Sequence, residues 1–493
     1  MNLADERLKE LDNPSLATDE RALLRCRLAT ELVQEGQYEV ACQALGEFWR
    51  GVGERPDLEA LRENVAAEVL LHVGVVSGWI GACRQIQGAQ ESAKDLISAS
   101  ATFFETLGLH DRAAAARCKL APCYLREGAY DEAHALLTNA LDWLTEEAER
   151  AEAIVKLAIV ECAAGRYNDA LTFLKEHAPI FDERVSHSLR ASFHNQLALV
   201  LKQLGILEGR SDYFDRAIIE YTAAIYHVGK AGNDRYRAVG ENNLANLLCK
   251  MGRYRQAHEH LDYAGAILWR LKDAGLLAQV DETRAGVFIA EKKYTEAERV
   301  IARAVQTLEQ GSAAALLADA LTTQGVAWAR LGKAEASINV LRRAIQLAEE
   351  AGAFSNAGFA TLALIEEHGA RRTFSHADLY ALYQRAERLL KDTQHPETIA
   401  RRLACAQIVM RRLVGIQIDD KNFTFFSAVQ EFEEKLIEWA LEQAQGSVVR
   451  AARLLGLTHQ TFSSMLNRRH KKFLEKRTPR VKRLRSIIKE PKE

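Results

Sequence analysis

Proline is scarce in this chain, 7 residues in 493, so long stretches run without the residue that most reliably breaks a helix. No apolar run is long enough to cross a bilayer. The longest, Val69 to Ala82, covers about 14 residues and includes His72 and Gly74, against the roughly 20 that a spanning helix needs. The first residues, MNLADERLKELDNP, are polar and acidic and contain no apolar signal core, which points to a cytoplasmic protein. The 8 cysteines, Cys26, Cys42, Cys83, Cys118, Cys123, Cys162, Cys249 and Cys405, form no C-x-x-C and have no histidine at ligand spacing. They read as small core residues of reduced helices, without disulfide or metal. A phosphate-binding G-x-x-x-x-G-K-[ST], an H-E-x-x-H and a G-x-S-x-G are all missing. His194 beside Asn195, and Glu366-Glu367-His368, are helix-surface combinations without a third partner at fixed spacing. The expectation is therefore no enzyme and no cofactor.

What is present is alanine, leucine, glutamate and arginine in quantity, the composition of an all-α protein. At 493 residues the chain is too long for one compact core and suits an elongated repeat array with a small domain attached. The repeat is visible from residue 29 to residue 344. Its anchor, Gly-x-Tyr-x-x-Ala, occurs at Gly36, Gly128, Gly165 and Gly252, ending on Ala41, Ala133, Ala170 and Ala257. Degenerate copies are Gly88 with Ala93, Lys292-Lys293-Tyr294 with Ala297, and Gly332 with Ser337; Tyr213 with Ala217 and Ala224 is a copy with a lengthened turn. Twelve residues before the final anchor position stands a small residue: Ala29, Gly81, Ala121, Ala158, Ala245, Ala285 or Gly325. Seven residues after it stands Ser100, Ala140, Ala264, Ala304 or Ala344, with Phe48 and His177 as exceptions. Small residues at those offsets let two helices nestle, and the Gly-x-Tyr marks the tight turn between them. This pattern resembles the tetratricopeptide-repeat (TPR) family, although the usual tryptophan of the first helix is mostly missing and the period is nearer 40 than 34 residues. A further pair of helices is expected after Gly352, and Pro396 opens a helix through ETIARRLACAQIVMRRL.

The resemblance implies an α-solenoid of about eight to nine helix pairs, whose first helices line a groove. With the small residue as a fixed point, the position three before it and the one just after face that groove. Successive repeats then offer Asn195, Asn242, Glu282, Thr322 and Asn246, with Lys202 and Lys250 one turn further on. Asparagine can satisfy both the N–H and the C=O of an extended peptide, and lysine can meet a carboxylate. Asn195, Lys202, Asn242, Asn246 and Lys250 are therefore candidates for a peptide or protein ligand. The same residues also read as a solvated helix face.

The end of the chain carries a different signal. Ser447, suited to cap a helix, precedes Val448, Ala451, Ala452 and Leu455 on one face; Gly456 then breaks the run. A second helix starting near Thr458 turns Leu457, Phe462, Met465 and Leu466 inward and His459, Gln460, Ser463, Ser464 and Asn467 outward. Such a polar face has the size a DNA major groove accepts. The run GSVVRAARLLGLTHQTFSSMLNRR resembles the Fis-type helix-turn-helix, with Arg450-Ala451-Ala452, Leu455-Gly456-Leu457, Thr461-Phe462 and Leu466 in register. His459, Ser463 and Ser464 stand where that family usually has arginine or lysine, so its base preference does not transfer.

Charge is uneven as well. From Ser447 onward there are 14 lysines and arginines against 3 glutamates, a net +11, so the first 446 residues of this −2 chain sum to about −13. The resemblance and the charge together imply a bacterial DNA-binding transcriptional regulator. Arg450, Arg468, Arg469, Lys471 and Lys472 would sit on phosphates of double-stranded DNA, while Thr458, His459, Gln460, Thr461, Ser463, Ser464 and Asn467 reach base edges. The solenoid is assigned to 1–414, a linker to 415–426, the helix-turn-helix to 427–470 and a basic tail to 471–493. Phe425, Val429, Phe432, Leu436 and Trp439 recur at three- or four-residue spacing, a stripe for a homodimer through 425–444 or for packing within the chain. The alternative reading is a non-enzymatic adaptor whose basic end docks on an acidic partner, RNA or a membrane surface.

Overall fold

The structure, a computed structural model, describes residues 16–34, 38–84, 86, 88–310, 313–371, 373–391, 393–414 and 425–476. Every regular element among them is helical, and the chain forms two compact units. The first comprises Met1–His368 with Leu382–Leu403, the second Gly369–Ala381 with Ala404–Glu493.

The first unit is a run of helix hairpins. Its helices are α1 (Thr18–Gln34), α2 (Tyr38–Ala44), α3 (Glu63–Arg84), α4 (Ala89–Thr106), α5 (His110–Glu127), α6 (Tyr130–Leu141), α7 (Glu147–Ala163) and α8 (Tyr167–His177). They continue as α9 (His187–Glu208), α10 (Ser211–Lys230), α11 (Asp234–Lys250), α12 (Tyr254–Leu271), α13 (Ala274–Ala290), α14 (Tyr294–Glu309), α15 (Ala314–Arg330), α16 (Ala334–Glu350) and α17 (Phe354–His368). Each odd-numbered helix from α1 to α15 packs on its successor, giving eight hairpins among the described residues, within the span the repeat period implies.

The small-residue register is what lets each hairpin close. Ala29, Ala158, Ala245 and Ala285 are fully buried, as are Ala41, Ala133, Ala170, Ala257 and Ala297 opposite them. Where glycine takes the place of alanine the helices come closer still: a Cβ on Gly325 would lie 2.5 Å from Leu341. Ser337, the one serine among the anchors, is buried and donates its hydroxyl to the Gly325 carbonyl at 2.7 Å. His368 is fully buried and lies 2.9 Å from the same hydroxyl, so it belongs to the core and not to the surface that its neighbours Glu366 and Glu367 suggested.

The turns follow the same logic. Gly128, Gly165, Gly252 and Gly332 hold φ between 73° and 80°, the left-handed conformation that ends a helix and that glycine adopts without penalty. In the degenerate copy Lys292 takes that position with φ 64°, at a cost on the order of 1 kcal/mol.

Except between α9 and α11, first helices also pack closely on the first helices of the next repeat, whereas neighbouring second helices do not. The first helices therefore form the inner layer, which carries the candidate groove residues. The apolar run at Val69 belongs to a 22-residue helix, and the window Glu63–Gly81, with mean hydropathy 1.3, is long and apolar enough to cross a membrane. Val65, Val69, Val73 and Val76 are buried in the unit and 72% of the window is covered, the signature of a core helix.

Two helices, α18 (His376–Leu389) and α19 (Pro396–Val414), contribute residues to both units. The compact units thus part inside α19, after Leu403. Pro396 begins α19 as its sequence implies. The second unit contains α20 (Phe425–Gln443), α21 (Val448–Leu454), α22 (His459–Arg468) and a short 3-10 turn at Lys471–Leu474. Residues 415–424 of the expected linker and 477–493 of the expected tail lie outside the described residues; Phe425 and Phe426 are already helical.

Candidate nucleic-acid interface and solenoid groove

The second unit's core is built from one face of each of three helices. Ile437, Ala440 and Leu441 of α20, with Ala444 just past its end, meet Ala451 and Ala452 of α21, Phe462 and Leu466 of α22, and Phe473 beyond them. Ala451 and Ala452 are buried to within 1%; with only a methyl group each, they let the short helix sit close against its neighbours. Gly456, at φ 65°, turns the chain between α21 and α22. Thr458 caps α22, its hydroxyl accepting from the Thr461 amide at 3.1 Å. Ser447 holds the corresponding place before α21, but its hydroxyl accepts no capping hydrogen bond, so that expected cap is not made.

With Phe462 and Leu466 inside, the opposite face of α22 is left to solvent. Thr458, His459, Gln460, Thr461, Ser464 and Asn467 are exposed, and Ser463 is half-buried with its hydroxyl 3.5 Å from His459 Nε2. Arg450, Arg468, Arg469, Lys471 and Lys472 are exposed around that face. Their electrostatic situations differ. Arg450, Arg453, Arg468 and Lys471 have no carboxylate partner among the described residues. Lys472 pairs with Glu434 at 2.5 Å, Lys476 with Glu438 at 2.5 Å and Glu442 at 3.3 Å, and Arg469 lies 3.9 Å from Glu433. The hydrogen bond from Lys472 holds the Glu434 carboxyl below its ordinary value. His470, 1% exposed, sits against the same strip with Nε2 3.0 Å from Glu433.

An acidic strip on α20 therefore zips up part of the basic end, which the net charge from Ser447 onward does not reveal. The spacing of Glu434, Glu438 and Glu442, each four residues apart, and of Lys472 and Lys476, was the signal available in the sequence. On the other face of α20 the apolar stripe is partly open. Phe432 and Leu436 are each 39% exposed and Trp439 49%, while the Phe425 and Val429 side chains lie outside the described residues.

In the first unit, the groove candidates fall on α9 and α11. Asn195 and Asn242 are half-buried, Asn246 is exposed, and the buried Asn242 Oδ1 has no hydrogen-bond partner among the described residues. Lys202 lies two helical turns past Asn195 and Lys250 one turn past Asn246, about 10 Å and about 6 Å by helical rise. The structure brings these lysines together around the Glu397 carboxylate. Lys250 Nζ is 2.6 Å from Glu397 Oε1, and burial followed by the charge of Lys250 holds Lys202 below the ordinary amine value. Burial alone would raise the Glu397 carboxyl, but the hydrogen bond from Lys250, with Lys202 and Arg401 nearby, brings it below the usual range. Further along the inner layer, Glu282 accepts from the Thr323 hydroxyl at 2.6 Å. Its burial, opposed by that bond and reinforced by Asp319, pushes its carboxyl up to about 7. Among the described residues no group of histidine, cysteine, aspartate or glutamate side chains is placed to hold a metal ion.

Comparison with known proteins matches residues 106–192 to the family described as tetratricopeptide repeat, and residues 428–466 to that described as bacterial regulatory protein, Fis family. No curated protein matches the chain. Among solved structures it is similar to a Rap protein complexed with Competence and Sporulation Factor, at 13% identity and TM-score 0.47, over 80% of this chain and 99% of that one. It is also similar to the apo form of the quorum sensor NprR from B. thuringiensis, at 13% identity and TM-score 0.44, over 78% of this chain and 92% of that one. A signal transduction ATPase with a tetratricopeptide repeat sensor from Pyrococcus horikoshii matches at 12% identity and TM-score 0.48, over 82% of this chain and 56% of that one. Scores this low do not bear on what this chain binds. The chain carries a tetratricopeptide repeat and a Fis-family helix-turn-helix, and with them a protein-interaction module and a DNA-binding module.

Proposed function

We propose that the chain is a sequence-specific, DNA-binding transcriptional regulator of a bacterial cytoplasm, whose solenoid groove takes a peptide or protein ligand. The observation that carries this reading is the face of α22. Phe462 and Leu466 are fully buried in the core, and the outward residues are exposed or half-buried hydrogen-bonding side chains. Thr458, His459, Gln460, Thr461, Ser463, Ser464 and Asn467 would meet base edges, with a good bidentate pair discriminating by about 1–3 kcal/mol. Arg450, Arg453, Arg468 and Lys471 are free to take phosphates. Arg469 and Lys472 would do so only by leaving Glu433 and Glu434. The open stripe Phe432, Leu436 and Trp439 supports a dimer through α20, which would let two recognition helices read neighbouring major grooves. In the groove, Asn195, Asn242 and Asn246 would pair with a peptide backbone and Lys202 and Lys250 with a carboxylate.

Titrating the full chain on duplex DNA against salt tests the DNA reading. Four phosphate contacts per module imply a slope of about −3.6 in log affinity against log salt, so going from 50 to 200 mM weakens binding by about 150-fold. A flat salt response, or no binding at low salt, defeats it. The groove reading is tested by selecting displayed peptides on the wild-type chain and on Asn195→Ala with Asn242→Ala; peptides retained equally by both would reject it.

A further inference from the structure

The turn ahead of α19 and the first residues of that helix, Gln394 to Glu397, lie against three successive hairpins of the first unit. Tyr167 donates its hydroxyl to the Gln394 carbonyl at 3.2 Å, across 227 positions of sequence. Gln394 comes so near Gly165 that a Cβ on that glycine would lie 3.1 Å from the glutamine's own. Two hairpins on, Lys250 Nζ holds the Glu397 carboxylate at 2.6 Å, across 147 positions. Lys202 stands on the hairpin between them, within electrostatic reach of both His395 and Glu397. Among neighbouring first helices, α9 and α11 are the pair whose backbones do not pack closely.

A main-chain carbonyl taken by a hydroxyl and a carboxylate taken by a lysine are the two contacts by which a solenoid grips an extended peptide. Neither is strong. The Lys250–Glu397 pair is part-exposed, 29% and 49% at the side chains, and such pairs contribute little in water. Pro396 and Thr398 are buried and help to hold the segment, and its covalent tether adds an effective concentration in the millimolar range. We infer that Tyr167, Lys202 and Lys250 form a site for an acidic extended peptide, and that Gln394–Glu397 occupies it in cis as a stand-in that the true ligand displaces. This rests on the reading of the groove as peptide-binding and adds to it the chemistry of the ligand: a carboxylate side chain three residues after the anchored carbonyl. Because Pro396 and Glu397 open α19, which runs on to Val414, displacement acts on the helix joined in sequence to the DNA-binding unit.

The probe is a fluorescein-labelled synthetic peptide of residues 391–400, KDTQHPETIA, added to full-length protein and followed by anisotropy. Glu397→Gln in the protein weakens the resident segment, and the labelled peptide should then bind about two- to fivefold tighter than to wild type, the scale of a part-exposed ion pair. That gain should disappear when Lys250→Ala is added, and when glutamine replaces the peptide's glutamate. Circular dichroism melts within a few degrees of wild type establish that the variants are folded. As a second measurement, hydrogen exchange at the first amides of α19 in the wild-type chain should quicken when millimolar peptide is present. Equal affinity for wild type and Glu397→Gln, no binding to either, or indifference to Lys250 would overturn the inference. Displayed peptides that depend on Asn195 and Asn242 but carry no acidic residue would overturn it while leaving the groove reading standing.

Discussion

Replacing Phe462 with alanine separates the fold of the DNA-binding unit from its contact surface. Phe462 is fully buried among Ile437, Ala440, Ala452 and Leu466, and emptying such a site costs about 3–5 kcal/mol. A helical body of roughly fifty residues, 425–476, is expected to have a total stability of only about 3–8 kcal/mol. The cavity therefore removes a large part of it, up to all of it. Gln460, two positions earlier on α22, is exposed, so Gln460→Ala should stay within about 0.5 kcal/mol of wild-type stability. Far-UV circular dichroism and duplex-binding anisotropy on the full chain read the contrast. Phe462→Ala should lose a minor share of the helical signal at a low temperature, together with DNA binding, while the larger helical transition is kept. Gln460→Ala should melt as wild type and bind its preferred duplex about 5- to 150-fold more weakly, the range that follows from a lost base contact. DNA binding that survives Phe462→Ala at full strength would refute the idea that this core holds the binding surface in place.

Three other perturbations follow from particular contacts. Glu434→Gln frees Lys472, so DNA affinity at low salt should rise and the salt slope steepen by about 0.9; an unchanged slope would mean that Lys472 does not reach phosphate. Glu282 is held up to about 7, above its unfolded value. Its folded form keeps a proton that the unfolded chain has lost, so its contribution is full below about pH 4.5 and disappears as pH rises to about 7. The swing is worth at most about 3 kcal/mol. Glu282→Gln should flatten that part of the stability profile and raise the melting temperature at pH 8 relative to wild type, while a parallel shift at pH 5 and pH 8 would contradict the assignment. Leu436→Asp puts a charge into the open stripe on α20; if that stripe is a dimer interface, sedimentation should show the wild-type chain as a dimer and the variant as a monomer, with DNA affinity falling in step.

The repeat was legible because its determinants are local. Ala158 and Ala170, or Ala245 and Ala257, are twelve residues apart in a fixed register with a glycine between them, and steric closeness leaves few other residues that fit. The helix-turn-helix was legible for the same reason, with Ala451, Ala452, Gly456 and Phe462 all within one short stretch. What could not be read was whatever depends on distant parts of the chain. Nothing near Glu397 announces Lys250, and nothing near Lys472 announces Glu434 except a spacing of four that many solvated helices share. His368 looked like a surface residue because its neighbours are charged, and only the buried Ser337 hydroxyl shows otherwise. The Ser447 cap failed for the opposite reason: the residue type suits the position, but its hydroxyl accepts no bond from the turn that follows.

The most direct test of the central claim is selection of bound duplexes from a randomised pool by the full chain, in parallel with Gln460→Ala combined with Ser464→Ala. The wild-type chain should enrich a shared motif, and the double variant should lose that motif while keeping its salt-sensitive binding. No enrichment by the wild-type chain, or the same motif recovered with both proteins, would contradict the assignment of α22 as the helix that reads sequence.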